Sequence, residues 1–150
     1  MKSVHFKTLG QTQKKLVAAA EAAASTSYSP YSGFAVGAAL QTAGGKIITG
    51  SNVENAAYGL TICAEQAALV RANAMGHREF RAIAVVAKGR GQARATITAP
   101  CGACRQMLFE AAWNADRDIA VILCSPDRKT VVLTSIAELL PLAFSPKKNG

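Results

Sequence analysis

Helix-forming and strand-forming segments alternate along this chain in an order that few architectures accommodate. Residues from about Thr12 to Ala24 are alanine-rich and carry Leu16, Val17 and Ala20, a good helix former throughout. The cluster Ser25 to Gly33, with Pro30, ends that helix as a loop. Two apolar or β-branched runs follow, Phe34 to Thr42 and Lys46 to Gly50, and Ala43-Gly44-Gly45 between them predicts a hairpin. The polar stretch Ser51 to Thr61 reads as a working loop. From Cys63 to about Met75, Ala64, Ala67, Ala68 and Val70 suit a buried helix that Gly76 stops. Arg81 to Ala87 is a short apolar strand, Lys88 to Thr98 a basic loop, and Cys101 to Trp113 a further helix. Ile119 to Cys124 and Thr130 to Leu133 are strands joined by a Pro-Asp turn, and Ser135 to Leu140 is a last helix opened by a Ser135 to Glu138 capping box.

The order α, β, β, α, β, α, β, β, α predicts an α/β protein in which helices cover both faces of a five-stranded mixed sheet, a three-layer α/β/α arrangement. The 150 residues fit one domain, 1–150, with a short flexible C-terminal tail. A domain of that length buries roughly two-thirds of the surface its unfolded chain exposes, so no metal is needed merely to hold it together. Half of the residues are hydrophobic and 17% charged, which excludes disordered and collagen-like chains.

Three of the four cysteines stand at helix openings: Cys63 at one, Cys101 and Cys104 at another. Two helix N-termini can thus face one metal ion, and their partial positive charge favours the thiolate that a metal binds. Zinc is the natural guest for three sulfur ligands. A C-x-x-C pair alone is also found in redox motifs and structural zinc knuckles. Glu65 sharpens the reading, because a carboxylate two residues after a ligand at a helix start can point into the same cavity without binding the metal. Cys63-x-Glu65 followed by Pro100-Cys101-x-x-Cys104 matches the zinc deaminase signature in a three-cysteine form. Three protein ligands leave a fourth position for a water, which the metal acidifies for attack on the amino-bearing carbon of a nucleobase. Three thiolates give the zinc site a formal charge of −1, which helix dipoles and a nearby cation must offset.

At these residues the sequence also resembles the small cytidine deaminases. The likeness runs through Tyr28-Ser29-Pro30-Tyr31-Ser32-Gly33-Phe34-Ala35-Val36-Gly37-Ala38-Ala39, Asn52-Val53-Glu54-Asn55, Thr61-Ile62-Cys63-Ala64-Glu65, Pro100-Cys101-Gly102-Ala103-Cys104-Arg105-Gln106 and Glu138-Leu139-Leu140-Pro141. It implies a cytidine deaminase-like fold, one zinc ion per subunit, and Glu65 as the group that takes a proton from water and hands it to the base and the departing amine. It further implies that Asn52 and Glu54 read the sugar hydroxyls and that Phe34 and Ala64 line the nucleoside pocket. Small cytidine deaminases are homotetramers with shared active sites, so Tyr58 and Phe144 are expected to reach into a neighbouring subunit. Many relatives have Arg directly after the catalytic Glu, where it hydrogen-bonds the ligand sulfurs; this chain has Gln66, and Arg105 or the helix dipoles are expected to carry more of the neutralisation.

Other residues read as ordinary. Cys124 suits a buried strand position better than a fourth ligand of a closed structural zinc site, a reading in which Glu65 would have no purpose. His5 and His77 lie away from the ligand motifs, Trp113 reads as helix packing, and Glu21 and Glu110 as solvated helix charges. Seventeen Lys and Arg against nine Asp and Glu give a net charge of +8, but Lys14, Lys15, Arg78, Arg81, Lys88, Arg90, Arg94, Lys147 and Lys148 are dispersed, and no basic stripe with interleaved aromatics marks a nucleic-acid polymer as partner. With no secretory h-region or membrane span, the expected setting is cytoplasmic. The expected reaction is hydrolytic deamination of cytidine and 2'-deoxycytidine in pyrimidine salvage, with a blasticidin-type or other cytosine-nucleoside-analogue deaminase as the alternative.

Overall fold

The computed structural model describes residues 1–89 and 96–145; Arg90, Arg94, Lys147 and Lys148 and the expected tail lie outside them. The elements are β1 (Lys2–Val4), α1 (Gln11–Ala24), β2 (Phe34–Thr42), β3 (Ile47–Ser51), α2 (Ala64–Ala74), β4 (Phe80–Gly89), α3 (Gly102–Asn114), β5 (Ala120–Cys124), β6 (Val131–Ser135) and α4 (Ile136–Leu139). Short 3₁₀ turns occupy Phe6–Thr8 and Tyr58–Leu60. The sheet has six strands in the order β1-β6-β5-β4-β2-β3, which corrects the expected five. The extra strand, β1, pairs antiparallel with β6, Ser3 opposite Val132. Three residues with one β-branched side chain carry almost no local strand signal, and only the distant edge of β6 makes them one.

Strand direction explains where the helices go. β2 is antiparallel to both β3 and β4, and β4 is parallel to β5. β3, β4 and β5 therefore point the same way, and α2 and α3 are the crossovers between them. Both crossovers step across the sheet in the same direction, so right-handed connections place both helices on one face. The packing agrees: Ala64, Ala68 and Ala72 of α2 and Leu108 and Ala112 of α3 share a cluster with Ile83, Val85 and Ala87 of β4. The alternate residues Ala84 and Val86 meet Leu16, Val17 and Ala20 of α1 on the opposite face. β4 is buried on both faces, which is why it reads as a continuous apolar run.

Two glycines set how closely the helices approach. A Cβ at Gly50 of β3 would lie 2.3 Å from Ala68 N and 2.6 Å from Ala64 O of α2. One at Gly37 of β2 would lie 2.0 Å from Ala20 O of α1. Elsewhere the structure differs from the sequence reading in detail. Ser135 Oγ accepts the Glu138 N–H at 3.3 Å as a helix cap, but the Glu138 carboxylate takes the Thr134 hydroxyl and the N-terminal ammonium instead of closing a capping box. Glu21 is no solvated charge: it pairs with Arg128 at 2.7 Å and Lys88 at 3.3 Å, joining α1 to β4 and the β5–β6 turn. Arg128 also stands over the Phe6 ring, 4.7 Å from its centroid. Among the described residues no helix is long and apolar enough to cross a membrane.

Candidate active site

The N-termini of α2 and α3 both lie at the ends of β3 and β4 towards which those strands run, and the start of antiparallel β2 returns to the same end, with Phe34 opposite Gly89. Open α/β sheets bind ligands outside these strand ends. Cys63 is the N-cap residue of α2, Cys101 that of α3, and Cys104 sits in the first turn of α3. Their Sγ atoms lie within 4.8 Å of one another. Cys63 Sγ is 4.0 Å from Cys101 Sγ, which is 3.5 Å from Cys104 Sγ. Tetrahedral ligation with zinc–sulfur bonds of 2.3 Å sets sulfurs about 3.8 Å apart, so the three thiols fit zinc.

Their electrostatics point the same way. Burial pushes the Cys63 thiol up to about 11, with the neighbouring charge of Cys101 adding to it. Burial raises Cys104 further, helped by the charges of Glu65 and Cys63. Burial also acts against Cys101, but the backbone N–H of Cys104 and the two neighbouring thiols hold it below its ordinary value. Three groups so close do not all ionise unless a cation sits among them, and soft thiolates select zinc from the common divalent ions.

A cavity of about 480 Å³ opens beside the cluster, walled by Cys63, Ala64, Glu65 and Cys101 on one side and by Phe34, Asn52 and Glu54 on another. Glu65, in the first turn of α2, is 5% exposed. Burial raises its carboxyl above the usual range, and its own N–H and the Cys104 thiol bring it only partway back. Asn52 is buried at the end of β3. Its Oδ1 accepts from Val36 N–H at 2.8 Å and from the Ser27 hydroxyl at 2.6 Å, while Nδ2 donates to Phe34 O at 2.9 Å. Its amide thus clamps the start of β2, leaving the second Nδ2 hydrogen without a partner among the described residues. Glu54 accepts from the N–H groups of Tyr31 and Ser32 and from the Ser32 hydroxyl; that hydroxyl chiefly holds its pKa low.

The remaining expected residues lie outside this cavity. Tyr58 lines an adjoining recess of about 430 Å³ with Tyr31, Ser32, Glu54 and Thr61; the residue is 75% exposed and its ring meets Tyr31 edge-on at 6.0 Å. Phe144 is also largely exposed, and its carbonyl accepts from Gln106 Nε2 at 2.8 Å. Gln66 turns its oxygen to the Cys63 N–H at 3.3 Å. Arg105 donates to Pro100 O at 2.8 Å and Leu139 O at 3.0 Å, so those donors face carbonyls. Cys124 is buried under α1, apart from the other thiols. Trp113 stacks with Phe109 at 5.9 Å. Ser32, Thr61, Thr98 and Ala99 also wall the main cavity. Sequence reasoning passed them over; the first two stand inside its motifs, but nothing local distinguishes them from ordinary loop residues.

Comparison with known proteins agrees with this geometry. Residues 10–117 match the family described as the cytidine and deoxycytidylate deaminase zinc-binding region. A cytidine deaminase of Sporosarcina psychrophila is 42% identical over 132 residues, 88% of this chain and 90% of that protein. The crystal structure of cytidine deaminase from Burkholderia pseudomallei aligns over 91% of this chain and all of that one, with 46% identity and a TM-score of 0.77. The Mycobacterium tuberculosis cytidine deaminase structure covers 89% of this chain and 98% of that one at 37% identity and a TM-score of 0.72. Both cysteine segments fall within the matched region, and the chain belongs to the zinc-binding cytidine and deoxycytidylate deaminase family.

Proposed function

We propose that this enzyme deaminates cytidine and 2'-deoxycytidine hydrolytically: water enters at C4 of the base, ammonia leaves, and uridine or 2'-deoxyuridine is released. The observation that carries the reading is a buried carboxyl, Glu65, in the wall of the cavity that Cys63 and Cys101 also line. Zinc held by Cys63, Cys101 and Cys104 would supply a water acidic enough to lose a proton near neutral pH. Glu65 takes that proton and delivers it to ring N3; it then takes the second proton, from the hydroxyl added at C4, and passes it to the departing amine, so that the C4–N bond breaks as the carbonyl forms and one carboxyl acts in turn as base and acid. A carboxyl raised by burial is closer to the neutral pH at which it must both take and give a proton. Phe34 and Ala64 confine the base, while Asn52 and Glu54, an amide and a carboxylate, read the ribose edge.

The exposed rings of Tyr58 and Phe144 support a homotetramer in which each reaches a neighbouring subunit's site. We read the chain as one domain of three layers, α1 outside one face of the sheet and α2 to α4 outside the other, acting in the cytoplasm in pyrimidine salvage. Product analysis tests the reaction. Zinc-loaded protein should convert cytidine to uridine and ammonia, and Glu65→Ala should keep its zinc while losing turnover by at least about 10²-fold. Turnover of blasticidin S in place of cytidine would transfer the assignment to the analogue deaminases, and near-normal turnover by Glu65→Ala would remove Glu65 from the proton relay.

A further inference from the structure

We infer that Ser32 is a positioning residue for substrate binding: its side-chain hydroxyl aims the Glu54 carboxylate into the cavity and ties it to the strand that carries Phe34. The inference rests on the sugar-reading role given to Glu54 above. Glu54 lies on the connection after β3, where no helix or strand restrains it. An unrestrained glutamate would lose its rotamer freedom on meeting substrate, and binding would weaken accordingly. Here the carboxylate is held in advance. Oε2 accepts from Tyr31 N–H at 2.9 Å and Ser32 N–H at 3.3 Å, and Oε1 accepts from the Ser32 hydroxyl.

The same hydroxyl has a second partner. Its oxygen accepts the Phe34 N–H at 2.9 Å, so one atom joins Glu54 to the first residue of β2. Gly33, at φ 63°, folds the chain between them, a conformation that side-chain-bearing residues rarely adopt. A carboxylate has about four acceptor positions. Three are occupied by this loop, which leaves about one for a sugar hydroxyl and fixes its direction. Ser32 lines the cavity beside Phe34, Asn52 and Glu54, yet its polar contacts run to the protein. Its effect on substrate therefore passes through Glu54.

An interaction of this kind favours the bound substrate and its transition state alike, so its loss should appear in KM and not in kcat. The test is steady-state kinetics of cytidine deamination by wild type, Ser32→Ala, Ser32→Thr, Glu54→Ala and the Ser32→Ala/Glu54→Ala double variant. Zinc content and thermal melting are measured alongside. Ser32→Ala should raise KM by roughly ten- to 150-fold, the range for one lost hydrogen bond to a charged group, with kcat within about twofold. Ser32→Thr, which keeps the hydroxyl, should restore most of that loss. In the Glu54→Ala background, which has no acceptor for the Ser32 hydroxyl, the Ser32→Ala change should add less than about twofold, because the two side chains act as one unit. An unchanged KM in Ser32→Ala overturns the inference and leaves the proposed reaction standing. An equal loss with and without Glu54, or a fall confined to kcat, shows that the hydroxyl serves the loop as a whole and also overturns it. A wild-type protein without cytidine turnover would remove the proposed reaction, and this inference with it.

Discussion

Replacing Gly50 by alanine should damage catalysis from a strand residue that does not line the cavity. The new Cβ would lie 2.3 Å from Ala68 N, 2.6 Å from Ala64 O and 2.9 Å from Ala67 C, against a floor of 3.0 Å for real Cβ contacts. Closing the worst of these gaps takes 3.0 − 2.3 = 0.7 Å of movement at least. All three obstacles are backbone atoms within the first turns of α2, so no side chain can swing aside and the helix itself must retreat. That turn carries Cys63 and Glu65. Overpacking against rigid neighbours costs about 1–3 kcal/mol; alanine recovers about 0.5–1 kcal/mol of chain entropy relative to glycine. A net loss of roughly 1 kcal/mol lowers the melting temperature of a chain this size by about 2–4 °C. The kinetic effect should be larger, since a misplacement of about 1 Å in reacting groups costs about 10²-fold in rate.

Thermal melting, zinc content and kcat for cytidine would be compared across three glycine variants. Gly37→Ala makes a still tighter clash, 2.0 Å from Ala20 O, but pushes on α1, which contributes no residue to the cavity wall. It should lose stability while the folded fraction keeps its kcat. Gly44→Ala meets nothing closer than 3.9 Å and should change neither quantity. A Gly50→Ala protein with wild-type melting and kcat would refute the argument that β3 seats the catalytic helix, and so would one in which Gly37→Ala lowers kcat equally.

Cys124→Ser should leave zinc content unchanged while costing about 1 kcal/mol for a hydroxyl in an apolar cluster, read from metal analysis and melting; loss of zinc would make it a ligand. Burial works against the Glu21 charge, but the hydrogen bonds of Arg128 and Lys88 hold its carboxyl below the ordinary 4.5. Because the folded-state pKa is depressed, the pairing stabilises above the ordinary value and is lost as pH falls through the folded one. Glu21→Gln should therefore cost up to about 1 kcal/mol at pH 7 and nothing in acid below the folded pKa, and a cost independent of pH would contradict the ion pairs.

The parts of this fold that could be read in advance are those where local chemistry and tertiary setting agree. β4 is apolar because both of its faces are covered, and α2 and α3 open at the N-cap residues Cys63 and Cys101, which with Cys104 form a metal-fitting trio. What stayed hidden depends on partners far along the chain. β1 exists only because β6 offers an edge. Glu21 meets Arg128 across 107 positions of sequence, so its charge looked solvated from its helix alone. Asn52 was expected to be a ligand for sugar, and nothing local announced that most of its amide would fasten the start of β2.

Gln66 and Arg105 bear on how the sulfur charge is balanced. Gln66 turns an oxygen towards the Cys63 N–H, and an oxygen cannot donate to sulfur. Arg105 ties the Pro100 carbonyl to the end of α4, so those donors hold the chain before Cys101 instead of dampening the thiolates. The two helix N-termini, each equivalent to about half an elementary charge, aim a positive field at the cluster. Together they supply roughly one charge, which equals in size the formal −1 of three thiolates around a divalent zinc. The parallel run of β3, β4 and β5 thus does more than gather the residues: by directing both crossovers to the same end and face of the sheet, it brings two helix dipoles to one point, where both favour the thiolates that a metal binds.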